Sequence, residues 1–242
     1  IADKGNETTG FTHLVSASRE AIEIANKAYQ KQGGISGIST GLIDLDKKLG
    51  GLHSSDLLII AGRPSMGKTS LATKIAFSIA NSFKSKENED GSKTLLNGGI
   101  VGFFSLEMSS AQLATRILSE NSKVPSDTIR KGDLSEQDFR NFIEAAQSLD
   151  QCPLYIDDTA ALSISALAGR ARRLKRMYGL DVLFVDYLQL IRPSTNRDSR
   201  VNEISEITQG LKSIAKELNI PVVALSQLSR QVEARDDKRP QL

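Results

Sequence analysis

The chain is poor in the residues from which disulfides, zinc sites and membrane spans are made. Cys152 is its single cysteine, so no internal disulfide can form. With only His13 and His53 to add, there is no ligand set for a zinc cluster. A reducing compartment suits such a composition. No apolar run approaches the roughly 18 residues of a membrane helix, and no signal-peptide pattern opens the sequence. The sequence therefore reads as that of a soluble, cytoplasmic protein with no membrane partner. An excess of charge of one sign is missing too, since 31 basic residues stand against 29 acidic ones. No global field draws the chain to nucleic acid or to an anionic surface, so any such contact must be local.

What is present suits one sizeable α/β core: 242 residues, 39% hydrophobic and 25% charged. Short apolar runs at 57–61, 100–104, 154–156, 182–185 and 221–225 read as buried parallel strands. Helical periodicity fills the intervals, over 68–81, 110–120, 136–149, 164–177 and 201–218. This alternation predicts right-handed crossovers and a mainly parallel sheet with helices on both faces. Residues 84–99 are too polar for a core and read as an exposed, mobile loop. Before the core, residues 11–31 place Phe11, Leu14, Val15, Ile22, Ala25 and Tyr29 on one helical stripe, which Gly33 and Gly34 end. The expected organisation is an arm with a helix over 1–34 and one domain over 35–242. The chain starts at Ile1 without Met and stops on "DDKRPQL", which carries no stop signal, so it reads as a piece of a longer protein.

The chemistry starts at "GRPSMGKT", residues 62–69. The spacing G-x-x-x-x-G-K-[ST] follows a buried strand and precedes a helix, the context in which it acts as a phosphate-binding loop. Gly62 and Gly67 let the backbone, with Arg63, Pro64, Ser65 and Met66, wrap a phosphate chain with its N–H groups and the helix N-terminus. In that role Lys68 reaches the β- and γ-phosphates of ATP and the Thr69 hydroxyl ligates Mg²⁺. The alternative is a glycine-rich turn with a solvated lysine. Such a site needs a carboxylate for the metal at the end of another buried strand, and "DVLFVDY" offers Asp186; Asp181 should lie at that strand's opposite end. Hydrolysis needs a base to orient water. Glu107 in "IVGFFSLEM" stands just beyond the second strand, although it could instead cap the helix that starts near Ser109. Ser226 and Gln227 follow the last strand, where the Gln227 amide could meet a terminal phosphate.

Taken in order, "TGLIDLDKKLGGL", "GRPSMGKT", "FFSLEM", "DYLQLI" and "ALSQLSR" resemble the motor domain of the DnaB-type replicative DNA helicases of bacteria, a RecA-like P-loop NTPase fold, from about Phe11 to the end. The resemblance implies that Lys68 and Thr69 are the Walker A residues, Asp186 the Walker B aspartate, Glu107 the catalytic glutamate and Gln227 the γ-phosphate sensor. It implies a homo-hexameric ring around single-stranded DNA, moving 5′ to 3′ and hydrolysing nucleotide at sites shared between subunits. In that ring residues 11–31 are a linker helix docked on a neighbour, the alternative being a helix packed within its own chain. A helicase loader is a further possible partner.

Arg192, Arg197 and Arg200, in "IRPSTNRDSRVNE", resemble the family's DNA-contacting loops, where cations hold phosphates without reading bases. By composition alone the segment would be a solvated loop. The cluster "RARRLKR" at 170–176 sits towards a helix C-terminus and reads as a solvated or subunit-facing surface. Three departures from the family are expected to matter. The domain that contacts primase is not present, so primase binding is not expected of this stretch. The polar loop is longer than usual. The arginine finger of the family lies outside the chain, and because such a residue is worth about 10³ to 10⁵ in rate, this stretch alone should hydrolyse ATP weakly. The rival readings are a RecA-type recombinase and a nucleotide-gated assembly module that binds DNA or a loader without doing work.

Overall fold

In the computed structural model, which describes residues 11–30, 35–88, 93–192 and 200–228, five parallel strands form the central sheet. They are β1 (Leu57–Gly62), β4 (Val101–Ser105), β5 (Leu154–Asp157), β6 (Val182–Asp186) and β7 (Val222–Gln227), in the order β1-β7-β6-β4-β5. These are the five apolar runs read from the sequence. Every pairing is parallel, so the carboxyl ends of all five lie along one edge.

Both faces of the sheet are covered, which is why its inner strands read as continuous apolar runs and not as alternating ones. On one face α3 (Lys68–Asn81) and α4 (Ser110–Ser122) bury Ala72, Ile75, Ile79 and Leu113 against Phe103, Phe184, Val223 and Leu225. The rings of Phe103 and Phe184 stack there at 5.7 Å. On the other face α7 (Ile164–Tyr178) and α8 (Arg200–Leu218) bury Leu167, Ala171, Leu211 and Ile214 against Phe104, Leu183, Val185 and Ala224. Alternate residues of β6 thus serve opposite layers, as the two-residue repeat of a strand requires.

The short helices α2 (Ile43–Leu49) and α5 (Ser126–Lys131), the longer α6 (Glu136–Gln147) and a 3-10 turn at Leu188–Leu190 join them. Three elements of the fold differ from the sequence reading. The segment before β1 contains α2, whose Asp46 folds back to accept bonds from the Thr40 N–H (2.8 Å), the Thr40 hydroxyl (2.7 Å) and the Ser39 hydroxyl (2.6 Å). The α5 turn is too short for a helical period to show. Residues 84–99 are not simply a loop. Lys84–Glu87 (β2) and Lys93–Asn97 (β3) pair antiparallel, and backbone pairing alone, without a buried face, makes that hairpin.

The chain divides between residues 36 and 37. In the first unit α1 (Leu14–Gln30) forms as the stripe predicted, and His13 Nδ1 accepts from the Val15 N–H at its start, 3.3 Å away. Leu14, Val15, Ile22 and Tyr29 are all exposed, the last at 84%. Among the described residues no helix is long and apolar enough to cross a membrane, and no cluster of three potential metal ligands of the His, Cys, Asp and Glu kind occurs.

Candidate nucleotide-binding site

The sheet order brings four chain segments to one edge in sequence: the end of β1, the end of β7, the end of β6 and the end of β4. Gly62 is registered with Gln227, and Ser105 with Asp186. At about 4.8 Å per strand the ends of β1, β7, β6 and β4 together span roughly 14 Å, along the carboxyl edge where ligands of open α/β sheets bind.

The loop from β1 to α3 is wound by two left-handed residues, Ser65 (φ 63) and Gly67 (φ 82). A side chain at Gly67 would meet nothing within 4 Å, so it is the backbone conformation and not space that calls for glycine there. At Gly62 a β-carbon would sit 3.3 Å from the flexible stem of Lys68, a tight contact that the lysine would have to shift to relieve. Lys68 Nζ donates to the Arg63 carbonyl at 2.8 Å, which holds the ammonium over the loop it belongs to. Arg63, Pro64, Ser65 and Met66 are thus the wall of a concave turn with the first peptide groups of α3 at its base.

Thr69 and Asp186 meet across this turn. The Asp186 carboxylate is 2% exposed, and its Oδ2 has no hydrogen-bond partner among the described residues. Burial pushes its pKa up, the Thr69 hydroxyl bond opposes this, Glu107 adds to it, and the charges of Lys68 and Arg116 pull the other way. A buried carboxylate oxygen left without a partner beside a hydroxyl is the donor set that a hard divalent cation takes. Thr69 and Asp186 therefore fit Mg²⁺.

Glu107 is exposed at the same sheet edge. Two bonds fix its turn: the Leu106 N–H donates to the Asp186 carbonyl (2.9 Å), and the buried Ser105 hydroxyl donates to the Met108 carbonyl (2.7 Å). Glu107 does not cap α4. Ser109 does so, in a reciprocal pair with Gln112, and the Ser110 N–H donates to Asp158 at 2.7 Å. The helix terminus is satisfied without Glu107, which leaves that carboxylate free of a capping role.

Gln227 closes β7, with its side chain exposed. Of the three arginines proposed for DNA, Arg192 is exposed, and its N–H donates to the Leu162 carbonyl at 2.9 Å. Arg197 lies outside the described residues, and Arg200 is described only as the first residue of α8. The cluster at 170–176 is less a free surface than its composition suggested. Arg170 pairs with Asp157, Arg172 pairs bidentately with Glu217, and Lys175 donates to the Leu218 carbonyl, so these cations brace α7 against β5 and α8. As expected, Asp181 lies at the far end of β6, accepting from the Ile100 N–H at 2.7 Å.

Sequence reasoning missed Ser105 and Arg116. The Arg116 guanidinium reaches Ser70 Oγ at 3.4 Å and acts on Asp186. A helical arginine nine positions after Glu107 carries no local signal that it will return to the site. Cys152 is half-buried and its thiol is pushed up to about 11, which leaves it protonated and inert at neutral pH.

Comparison with known proteins agrees with this geometry. Residues 37–242 match the family model described as DnaB-like helicase C terminal domain. The chain is 52% identical over its whole length to the replicative DNA helicase DnaB of Rickettsia bellii, covering 48% of that protein. It is 39% identical to the replicative DNA helicase DnaC of Bacillus subtilis, covering 50% of it. The chain thus spans about half the length of the curated relatives it matches. Among solved structures, an ATPase domain superposes with a TM-score of 0.82 at 32% identity, covering 96% of this chain and 77% of that one. A DnaB-like replicative helicase, described with its interactions with primase, superposes at 0.77 with 30% identity, covering 98% of this chain and 53% of that one. The sheet is that of the RecA-like ATPase domain of these helicases, and the chain belongs to the family of DnaB-like helicase C-terminal domains.

Proposed function

We propose that this chain is the motor of a bacterial replicative helicase, which couples ATP hydrolysis to 5′ to 3′ movement on single-stranded DNA and so unwinds duplex. The observation that carries the reading is the convergence of the Gly62–Thr69 loop, Asp186 and Glu107 on one sheet edge. The buried, unpartnered oxygen of Asp186 stands at its centre.

In this reading the N–H groups of the loop and of the start of α3 hold the phosphates, and Lys68 leaves the Arg63 carbonyl to meet the γ-phosphate. Thr69 and Asp186 hold Mg²⁺, which when bound neutralises charge on the β- and γ-oxygens. Glu107 takes the proton of a water as its oxygen attacks phosphorus and ADP departs. Gln227 contacts the γ-phosphate and registers its loss. Arg192, Arg197 and Arg200 hold DNA phosphates, which gives affinity without sequence preference. The exposed apolar stripe of α1 is the contact with a neighbouring subunit in a hexamer, since an unpartnered row of Leu14, Val15, Ile22 and Tyr29 calls for a cover. The division into residues 1–34 and 35–242 then separates the linking element from the motor. The site of action is the replication fork in the bacterial cytoplasm, with a loader as a further partner.

ATP hydrolysis by the full-length protein, with and without single-stranded DNA, tests this for wild type and Glu107→Ala. The motor reading requires DNA to raise the rate, and the alanine variant to lose hydrolysis while still binding nucleotide. A rate indifferent to both DNA and Glu107 would make the loop a holding site in an assembly module.

A further inference from the structure

Beyond Val185, strands β6 and β7 part company. Their register ends at the pair Val185 and Ala224, yet β7 continues through Ser226 and Gln227. On its other side β7 stays paired: Gln227 is registered with Gly62, and the Leu228 N–H donates to the Gly62 carbonyl at 3.1 Å. On the β6 side one side chain replaces the missing ladder. Gln189 Nε2 donates to the Gln227 carbonyl (3.0 Å) and to the Ser226 hydroxyl (3.1 Å), and Gln189 Oε1 accepts from the Gln227 N–H (3.2 Å). A primary amide here binds both polar groups of one residue's backbone, as a neighbouring strand would. The donor and acceptor sides of this pairing also fix which end of the amide is oxygen.

The position of Gln189 in the chain gives this clamp its meaning. It sits in the 3-10 turn Leu188–Leu190, which the buried side chains of Leu188 and Ile191 anchor to the core. Three residues later comes Arg192, with its backbone tied to Leu162. The clamp therefore joins the end of β7, itself bonded to the first glycine of the phosphate loop, to the root of the segment that carries Arg192. A ladder of backbone bonds would hold these parts in one arrangement. A single side chain on a rotatable stem can release and re-form, which provides the two discrete arrangements that coupling between sites requires.

We propose that Gln189 is the positioning residue that couples nucleotide state to DNA affinity, by clamping the backbone of Gln227 in one state and releasing it in the other. The inference rests on the roles of Gln227 and Arg192 given under Proposed function. In this role Gln189 acts through the backbone of Gln227. Its effect is a coupling free energy, and linkage makes that coupling readable from either site.

The test uses the full-length protein and a fluorescently labelled oligo-dT at fixed salt. Its dissociation constant is measured with Mg²⁺ and ADP, and again with Mg²⁺ and the β,γ-imido analogue of ATP. Couplings of this kind amount to about 5- to 150-fold in affinity, so wild type should show a ratio of the two constants in that range. In Gln189→Leu, which keeps the bulk but offers no polar atom, the ratio should fall to within about twofold of unity. Nucleotide binding without DNA and the melting temperature should stay close to wild type. Gln189→Glu keeps the acceptor for the Gln227 N–H and loses the donors, and it should give an intermediate ratio; it also carries the test if the leucine variant fails to fold. A wild-type ratio retained in both variants overturns the inference, as does an equal loss of DNA affinity in both nucleotide states, which is what a merely structural residue would give. If wild type binds DNA with no nucleotide dependence, coupling through Gln189 is refuted as well. Failure of wild type to bind DNA in any state would instead sink the motor reading on which the inference rests.

Discussion

Replacing Asp186 by asparagine should stabilise the nucleotide-free protein while removing its response to Mg²⁺. The carboxylate is 2% exposed, and one of its oxygens has no hydrogen-bond partner among the described residues. Leaving a buried polar atom unsatisfied costs about 1–3 kcal/mol, more when it is charged. Against this stand the Thr69 hydroxyl bond and the attraction of Lys68 and Arg116, while Glu107 adds repulsion. Since a hydrogen bond to a charged group returns about 1.5–3 kcal/mol, the two sides nearly cancel, and the net upward push on the Asp186 pKa tips the balance towards the uncharged amide. For a domain of this size each kcal/mol is about 2–4 °C in melting temperature. Calorimetry of wild type and Asp186→Asn, with ADP alone and with ADP and Mg²⁺, reads both effects. At a hundred times its dissociation constant a ligand adds about 2.7 kcal/mol to stability, so wild type should rise by about 5–10 °C when the complex with Mg²⁺ forms. The asparagine variant should show no increment attributable to Mg²⁺. A variant that melts well below wild type without nucleotide, or one that keeps the full Mg²⁺ increment, would refute the assignment of a metal-holding role to this buried carboxylate.

Further expectations follow from the same geometry. Asp46→Ala deletes the acceptor of three bonds from Ser39 and Thr40 and should cost about 2–4 kcal/mol in denaturant unfolding at pH 7. Burial alone would raise the Asp46 pKa, but those bonds outweigh it and hold it below the ordinary 3.8. Because the folded value is depressed, the stabilisation is complete above the unfolded value and is lost as pH falls below 3.8 through the folded one. The difference between wild type and Asp46→Ala should therefore shrink only in that acid range. Leu183→Ala, at a fully buried position of β6, should cost about 2–5 kcal/mol by the same assay. Arg172→Ala removes a half-exposed ion pair with Glu217 and should leave the unfolding midpoint close to that of wild type, despite its bidentate geometry, because solvent screens the pair. Iodoacetamide should leave Cys152 unmodified in the native protein at pH 7.5 and alkylate it after unfolding, as mass spectrometry would show.

Most of the fold is legible in the sequence because buried parallel strands and the helices between them carry strong, unlike periodicities. The run "VLFV" suits a strand covered on both faces, and Leu183 and Phe184 do serve opposite layers. The hairpin at 84–97 was not legible, since Lys84, Lys86 and Glu87 bury nothing and so leave no pattern. Nor was α2, where Asp46 organises seven residues by hydrogen bonds that join positions six and seven apart. At the site, the phosphate loop and Asp186 could be read because each combines a residue type with a strand end. Arg116, Ser105 and Gln189 could not, because their roles come from where the fold returns them. The capping question at Glu107 also needed coordinates, for only they show Ser109 and Gln112 already filling the helix terminus.

The central proposal is that the site at the sheet edge drives directional movement on DNA. The most direct test is unwinding of forked substrates by the full-length protein with ATP and Mg²⁺, comparing forks that offer only a 5′ or only a 3′ single-stranded tail for loading. The account predicts unwinding when the protein loads on the 5′ tail, little on the 3′ tail alone, and none with Lys68→Ala on either. Equal unwinding from both tails, or unwinding that survives Lys68→Ala, would contradict it.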